Sequence, residues 1–242
     1  MVVSAIEFGV LKAARDADVF ASVKSILEFG VSNTRNLDMR GAIEALLPPG
    51  EARTAALAEA ASFVHAALPG YYWARLLYRV IFNDASYVAI DLEPKSPLVI
   101  QQDLNEPFDL GKRFDLCINN GTSEHIFNQA NFYKAMHDHT KTGGLMLHWT
   151  PCVGWIDHGF YNVQPGFFGD VAHANNYEMI INCLGTEKQL YQMKTDLNEA
   201  VLQQYPDLRN ALACVLMRKT EDLPFRQPMQ GTHKHLQQYQ NQ

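Results

Sequence analysis

Six polar side chains, Asn119, Asn120, Thr122, Ser123, Glu124 and His125, directly follow the apolar run from Phe114 to Ile118. Amides and hydroxyls can orient a polar ligand, and a neighbouring carboxylate and imidazole can carry a proton. A second concentration lies at 148–168, where His148, Trp149, Trp155, His158, Tyr161, Phe167 and Phe168 mix imidazoles with aromatic rings. Such rings hold cations as well as apolar groups. His158 and Tyr161, in His-Gly-Phe-Tyr-Asn-Val-Gln-Pro, are candidates for positioning an acceptor or taking its proton. Packing of a connecting loop is the competing role for Tyr161, and a helix cap is the competing role for His158. His148 closes an apolar run beside Trp149 and is the third catalytic candidate. His137 and His139 sit two apart on a predicted helix, share no face, and are expected at the surface.

These groups need a scaffold, and the apolar pattern supplies one. The spacing of Ile6, Val10, Ala13, Ala14, Ala17 and Phe20 predicts a leading helix within 1–24. Ser25 to Phe29 reads as a buried strand stopped by Gly30, with a polar turn at 32–36. Residues 39–83 are rich in helix and are punctuated by Pro48-Pro49-Gly50 and Pro69-Gly70. That is about two helices more than a strand-to-strand crossover needs, so a lid, a partner surface or, equally, a passive elaboration is expected there. Strands are then predicted at 87–90, 98–100, 114–118, 145–147, 177–183 and 211–217, with helices at 128–140 and 165–174. Alternation of this kind means a doubly wound, mostly parallel α/β sheet, expected as one domain over 1–242 with a flexible tail at 231–242.

Strand ends repeat one chemistry. Glu28 and Gly30 lie at the first, Asp91 at the second, Asp103 at the third, and Asn119 to His125 at the fourth. Ligands of open α/β sheets bind outside the carboxyl ends of the strands. A carboxylate after the second strand can accept both hydroxyls of a ribose, and a glycine after the first lets backbone approach a ligand.

Bulk properties narrow the partners. The 242 residues carry a net charge of −6, with 47% hydrophobic and 19% charged residues. A nucleic-acid backbone would want a basic face, so no nucleic-acid partner is expected. No apolar run is long enough to span a membrane, and the first residues lack the basic region of a signal peptide. Cys117, Cys152, Cys183 and Cys214 are widely spaced within apolar runs and read as reduced core residues of a cytoplasmic protein, with no metal-ligand spacing and no metal expected.

From Ser25 to Arg218 the chain resembles the class I S-adenosylmethionine-dependent methyltransferases. Ile-Leu-Glu-Phe-Gly at 26–30 is similar to the opening of that family's first motif, with Glu28 as its acid. The usual three alternating small residues are here Gly30, Ser32 and the branched Thr34. Asp91 in Val-Ala-Ile-Asp-Leu matches the ribose acid, and Asp103-Leu104 resembles the pair at the adenine. Residues 114–126 resemble the fourth-strand motif, often ending in Glu-His, and Lys-Thr-Gly-Gly-Leu-Met-Leu resembles the turn before strand five. The resemblance implies a seven-stranded sheet, S-adenosylmethionine as cofactor, and a small-molecule acceptor. It implies cofactor contacts from Glu28, Gly30, Ser32, Asp91, Asp103, Leu104, Asn119 and Asn120, with chemistry opposite them in 148–168. Two alternatives stand beside methyl transfer: displacement within the cofactor's own aminobutyryl chain, and a non-catalytic binding or assembly role for the fold.

Overall fold

The computed structural model describes residues 2–34, 37–93, 99–194 and 197–231. In chain order the strands are β1 (Val2–Val3), β2 (Ser25–Phe29), β3 (Asn33–Thr34), β4 (Ser86–Asp91), β5 (Val99–Gln101), β6 (Phe114–Asn120), β7 (Thr140–Val153), β8 (Glu178–Gly185), β9 (Leu190–Gln192) and β10 (Ala211–Arg218). The helices are α1 (Ala5–Asp16), α2 (Met39–Leu46), α3 (Glu51–Ser62), α4 (Pro69–Ile81), α5 (Gln129–His139), α6 (Phe167–Asn175) and α7 (Glu199–Gln204). Most of the expected tail lies outside the described residues, which stop at Gly231.

One sheet carries the fold, in the spatial order β5-β4-β2-β6-β7-β10-β8-β9. The five strands from β5 to β7 are parallel, whereas β10 runs antiparallel to both β7 and β8. Successive residues of a strand face opposite sides of the sheet, and here both sides are covered. Ile26, Leu116, Ile118, Leu145 and Leu147 pack under α1, α2 and α4, while Leu27, Phe29, Cys117 and Met146 pack with Phe132 and Met136 of α5. That is why these strands read as continuous apolar runs.

Chain order reverses between β2 and β6. From β2 the chain goes to β4 and β5 on one side, and β6 leads to β7 on the other. A crevice opens at such a reversal, outside the carboxyl ends of the two central strands.

Several expectations are corrected. The sheet has eight strands because the short β9 adds to the edge of β8, and a separate pair, β1 with β3, joins the amino-terminal residues to the loop after β2. Helix α1 is shorter than expected. Ser4 and Glu7 form a reciprocal capping box at its start, and Asp18, at φ 57°, turns the chain away after its end. The strand expected over 145–147 extends over Thr140–Val153, because β6 and β10 pair with it on both sides. His148 and Trp149 are therefore strand residues, and the loop begins only at Gly154.

His137 and His139 are buried, contrary to the surface expectation. His139 donates through Nδ1 to the Ala135 carbonyl, accepts the Leu110 N–H at Nε2, and stacks on Phe108. His137 donates to the Leu223 carbonyl and accepts from the Tyr177 hydroxyl. A helix-face rule cannot see covering segments supplied from elsewhere in the chain.

The four cysteines are free. Among the described residues no helix is long and apolar enough to cross a membrane.

Candidate active site

The loop after β2 is built around a buried carboxylate. Glu28 is fully buried and accepts hydrogen bonds from the Ser32 N–H, the Ser32 hydroxyl and the Tyr87 hydroxyl. Ser32 in turn accepts from Tyr78 at 3.2 Å and from Asn120 Nδ2 at 2.9 Å. Burial raises the Glu28 pKa above the ordinary carboxylate value. Three protein donors hold the two oxygens of this fully buried carboxylate, so Glu28 and Ser32 brace the loop from beneath.

Gly30 has φ 84°, a conformation that a side chain disfavours, and its N–H donates to the Ile90 carbonyl at 2.6 Å. The next N–H, of Val31, donates to Asp91 Oδ2 at 3.1 Å, and the N–H of Glu93 donates to Asp91 Oδ1 at 3.1 Å. Asp91 is thus held at the sheet's carboxyl edge, half-buried, with one lone pair on each oxygen still unclaimed by these bonds. Asp103 is exposed and closes a turn by accepting from the Asn105 N–H and amide, each at 2.9 Å. Leu104 is buried in the core beside it.

The polar residues after β6 were expected in an open loop. Five of the six are buried, and His125 is exposed. β6 extends through Asn120, so both amides project from the strand. Asn119 Oδ1 accepts the N–H groups of Thr122 and Ser123, at 3.3 and 3.1 Å, which forces the turn into a short 3-10 helix at Ser123–His125. Asn120 bridges Ser32 to the Val2 carbonyl, tying β6 to the amino-terminal strand.

That turn opens onto a cavity of about 380 Å³ at the carboxyl ends of β6 and β7. Asn120, Gly121 and Glu124 line one wall, Trp149, Trp155 and His158 another, and Glu7 of α1 a third. Glu187 joins from beyond β8, and no lysine or arginine is among the described lining residues. Three buried polar atoms around it have no hydrogen-bond partner among the described residues: Glu124 Oε2, Trp149 Nε1 and Trp155 Nε1. Buried polar atoms are nearly always paired, so three orphans on residues that line one cavity depart from that rule.

The position of His158 follows from local backbone geometry. Gly154, Trp155 and Asp157 all have φ between 53 and 72°. A left-handed conformation is rare for a tryptophan or aspartate and costs energy that the surroundings must offset. Glu124 provides part of the offset, since its carbonyl accepts the N–H of Phe160 at 2.7 Å and of Tyr161 at 3.3 Å. The result places His158 Nε2 3.6 Å, and His125 Nε2 4.0 Å, from Glu124 Oε1. Burial raises the Glu124 pKa to about 7, while burial and then the neighbouring His158 lower that of His125.

Of the predicted residues, His158 and Asn120 thus reach one cavity, and Gly30 and Asp91 meet at the crevice mouth. His148 does not join them. It is 1% exposed, packs against Phe168 and Tyr133, and burial lowers its pKa to about 3, so it stays a neutral core histidine. The Tyr161 hydroxyl donates to the Phe127 carbonyl, and its ring joins Phe127 and Phe160 in an exposed aromatic group. Glu7 was missed because only the return of the amino terminus across β3 brings it here. Trp155 was visible as aromatic material, but its orphaned N–H was not.

No family model matches the chain, and no curated protein does. Solved structures are similar to it. One is a SAM-dependent methyltransferase from Archaeoglobus fulgidus, with 11% identity, 88% of this chain and 94% of that chain covered, and a TM-score of 0.44. Another is the O-methyltransferase of a trans-AT PKS multienzyme of Brevibacillus brevis in complex with S-adenosyl-L-homocysteine, with 10% identity, coverage of 90% and 73%, and a TM-score of 0.48. A third is the 1,6-didemethyltoxoflavin-N1-methyltransferase of Burkholderia thailandensis, with 11% identity, coverage of 88% and 78%, and a TM-score of 0.43. The strand order itself defines the fold. Leaving aside the added edge strand β9, it runs third, second, first, fourth, fifth, seventh, sixth with the seventh antiparallel, the class I methyltransferase arrangement.

Proposed function

We propose that the protein transfers a methyl group from S-adenosylmethionine to a small molecule held in the cavity beside Glu124 and His158. One observation carries this reading: a cavity at the carboxyl ends of β6 and β7, on the β7 side of the reversal, that combines acidic side chains and two indoles with no lysine or arginine among its described lining residues. Such a lining favours a positive charge, which a sulfonium carries.

The surrounding residues suit the cofactor in part. Asp91 keeps acceptor capacity for two ribose hydroxyls, and Gly30 allows close approach of backbone. Asn120 and Gly121 border the cavity and would face the amino-acid portion, with Asp103 and Leu104 toward the base. Glu28 and Ser32 would act only through the loop they brace. When bound, S-adenosylmethionine supplies an electrophilic methyl carbon and a neutral thioether leaving group.

The chain's own part is to position and deprotonate. Trp149 and Trp155 line one wall with their indole rings. Glu124 and His158 stand where an acceptor's proton can be taken, and the exposed Phe127, Phe160 and Tyr161 suit an acceptor with an apolar body.

Isothermal titration with S-adenosylmethionine and S-adenosylhomocysteine tests the reading. Both should bind, and Asp91→Ala should abolish binding while the far-ultraviolet spectrum is kept. Failure of the wild-type protein to bind either at millimolar concentration overturns it. Mass spectrometry of the by-product then separates methyl transfer, which leaves S-adenosylhomocysteine, from internal displacement, which leaves methylthioadenosine.

A further inference from the structure

We infer that Glu124, His125 and His158 bind one divalent transition-metal ion, leaving an open coordination position toward the cavity. The three side chains each offer one ligand atom, and these atoms lie within 4.8 Å of one another. Glu124 Oε1 is 3.6 Å from His158 Nε2 and 4.0 Å from His125 Nε2. Tetrahedral ligands at about 2.1 Å from an ion are roughly 3.4 Å apart, so the two Glu124 distances need a contraction of a few tenths of an ångström and the imidazole pair, within 4.8 Å, one of up to about 1.4 Å. The two imidazoles can supply it, since their side chains are 46% and 40% exposed and free to turn, while the carboxylate is fixed at 1%.

A second observation points to a cation independently of that spacing. Among the described residues, Glu124 Oε2 is buried without a hydrogen-bond partner and the adjoining cavity presents no lysine or arginine. An ionised carboxylate so placed is costly unless a positive charge meets it. The site is also held in shape. The loop bearing His158 is bonded through Phe160 and Tyr161 to the carbonyl of Glu124 itself, and Gly159 passes so close that a Cβ there would lie 2.8 Å from that carbonyl oxygen.

Two imidazoles and one carboxylate form a borderline donor set, suited to zinc or iron(II) and poorly suited to magnesium or calcium. Three protein ligands with a vacant fourth position is the arrangement of a catalytic ion rather than a structural one. No motif announces the site, because its ligands come from two separate segments, 124–125 and the loop bearing His158. The inference does not depend on cofactor binding or methyl transfer, but it replaces the proton-taking role of Glu124 and His158, whose lone pairs the ion would hold.

The test uses the full chain, stripped with chelator and titrated with Co²⁺ under visible absorption and with Zn²⁺ in a calorimeter, without any cofactor. One site is expected. His125→Ala and His158→Ala should each weaken it at least about 10-fold, and Glu124→Gln should do likewise. His125 is half-exposed, so its variant should keep the wild-type circular dichroism spectrum. A His233→Ala/His235→Ala variant, which removes two histidines of the carboxyl-terminal segment, should bind as the wild type does. The inference is overturned if no ion binds, if His125→Ala binds unchanged, or if the His233/His235 variant alone loses the ion. Because no S-adenosylmethionine is present, these outcomes stand apart from the fate of the proposed function.

Discussion

His158 Nε2 stands 3.6 Å from the buried Oε1 of Glu124, on a loop whose next residues donate to the backbone carbonyl of that same glutamate. Side-chain contact and main-chain anchoring converge on one residue, so the imidazole cannot drift far from the carboxylate.

Gly159 makes that convergence testable. A Cβ at Gly159 would lie 2.8 Å from the Glu124 carbonyl oxygen and 3.2 Å from its Cγ, closer than such contacts allow. Gly159→Ala must push the loop outward and carry His158 with it. Co²⁺ affinity and turnover should both fall about 10-fold or more, a loss of about 1.4 kcal/mol in each. The loop is exposed, so the melting temperature should hardly move. Wild-type affinity in the alanine variant would show that the loop does not set the geometry.

Glu28 and Asp91 are both strand-end acids, yet the structure separates their roles. Tyr87→Phe removes one donor to Glu28 Oε2 and leaves the Ser32 N–H in place. Loss of a buried hydrogen bond to a carboxylate should cost about 1–3 kcal/mol in urea unfolding. Affinity for S-adenosylmethionine should stay within a few-fold of wild type, because the pair lies under the loop. A large loss of affinity at unchanged stability would instead put Glu28 in contact with the ligand.

Gly30→Ala probes the turn that joins them. At φ 84° a Cβ is disfavoured by about 1–2 kcal/mol, and the strained turn also carries the Val31 N–H that holds Asp91. Chemical unfolding should show that loss, together with weaker cofactor binding. A variant as stable as wild type would mean the turn can relax.

Much of this was legible in the sequence, for a physical reason. Buried parallel strands must be continuous apolar runs, so β2, β4 and β6 announced themselves, and with them the crevice at Gly30 and Asp91. What failed depended on groups brought from far along the chain. Glu28 looks like a ligand acid until Tyr78, Tyr87 and Asn120 are seen to surround its loop. His148 looks like a strand-end base until pairing with β10 carries the strand five residues beyond it. Glu7 enters the site only because β1 pairs with β3, and two-residue strands have no periodicity to read.

His137 gives a pH signature. Burial, then the charge of Lys219, lower its pKa to about 4, against 6.5 for an unperturbed histidine. Between those values the unfolded chain binds one more proton than the native protein at this residue. Its contribution is therefore complete above pH 6.5 and is lost as pH falls toward 4. The buried carboxylates Glu7, Glu28 and Glu124 have raised pKa values and act in the opposite sense, so total stability is a poor readout. The difference between wild type and His137→Gln removes them. That difference should shrink on acidification by up to about 1.4 kcal/mol per pH unit, as followed by urea midpoints from pH 7 to 4.5. A constant difference across the range would show that His137 is protonated equally in both states.

Trp155 separates a ligand contact from a folding contact most directly. Its Nε1 is buried with no partner among the described residues, so the unliganded protein gains no hydrogen bond from it. Trp155→Phe keeps an aromatic ring and the left-handed backbone of the original while deleting the N–H. Removing an unpaired buried donor should leave stability unchanged or slightly raised, because its desolvation penalty disappears. If the N–H meets the cavity's ligand, the same change should cost about 0.5–1.5 kcal/mol of binding, a few-fold to about tenfold in Kd. Unfolding midpoint and ligand affinity should then move independently. A variant that loses stability and keeps affinity would make Trp155 part of the wall alone, and leave Trp149 as the indole donor to examine.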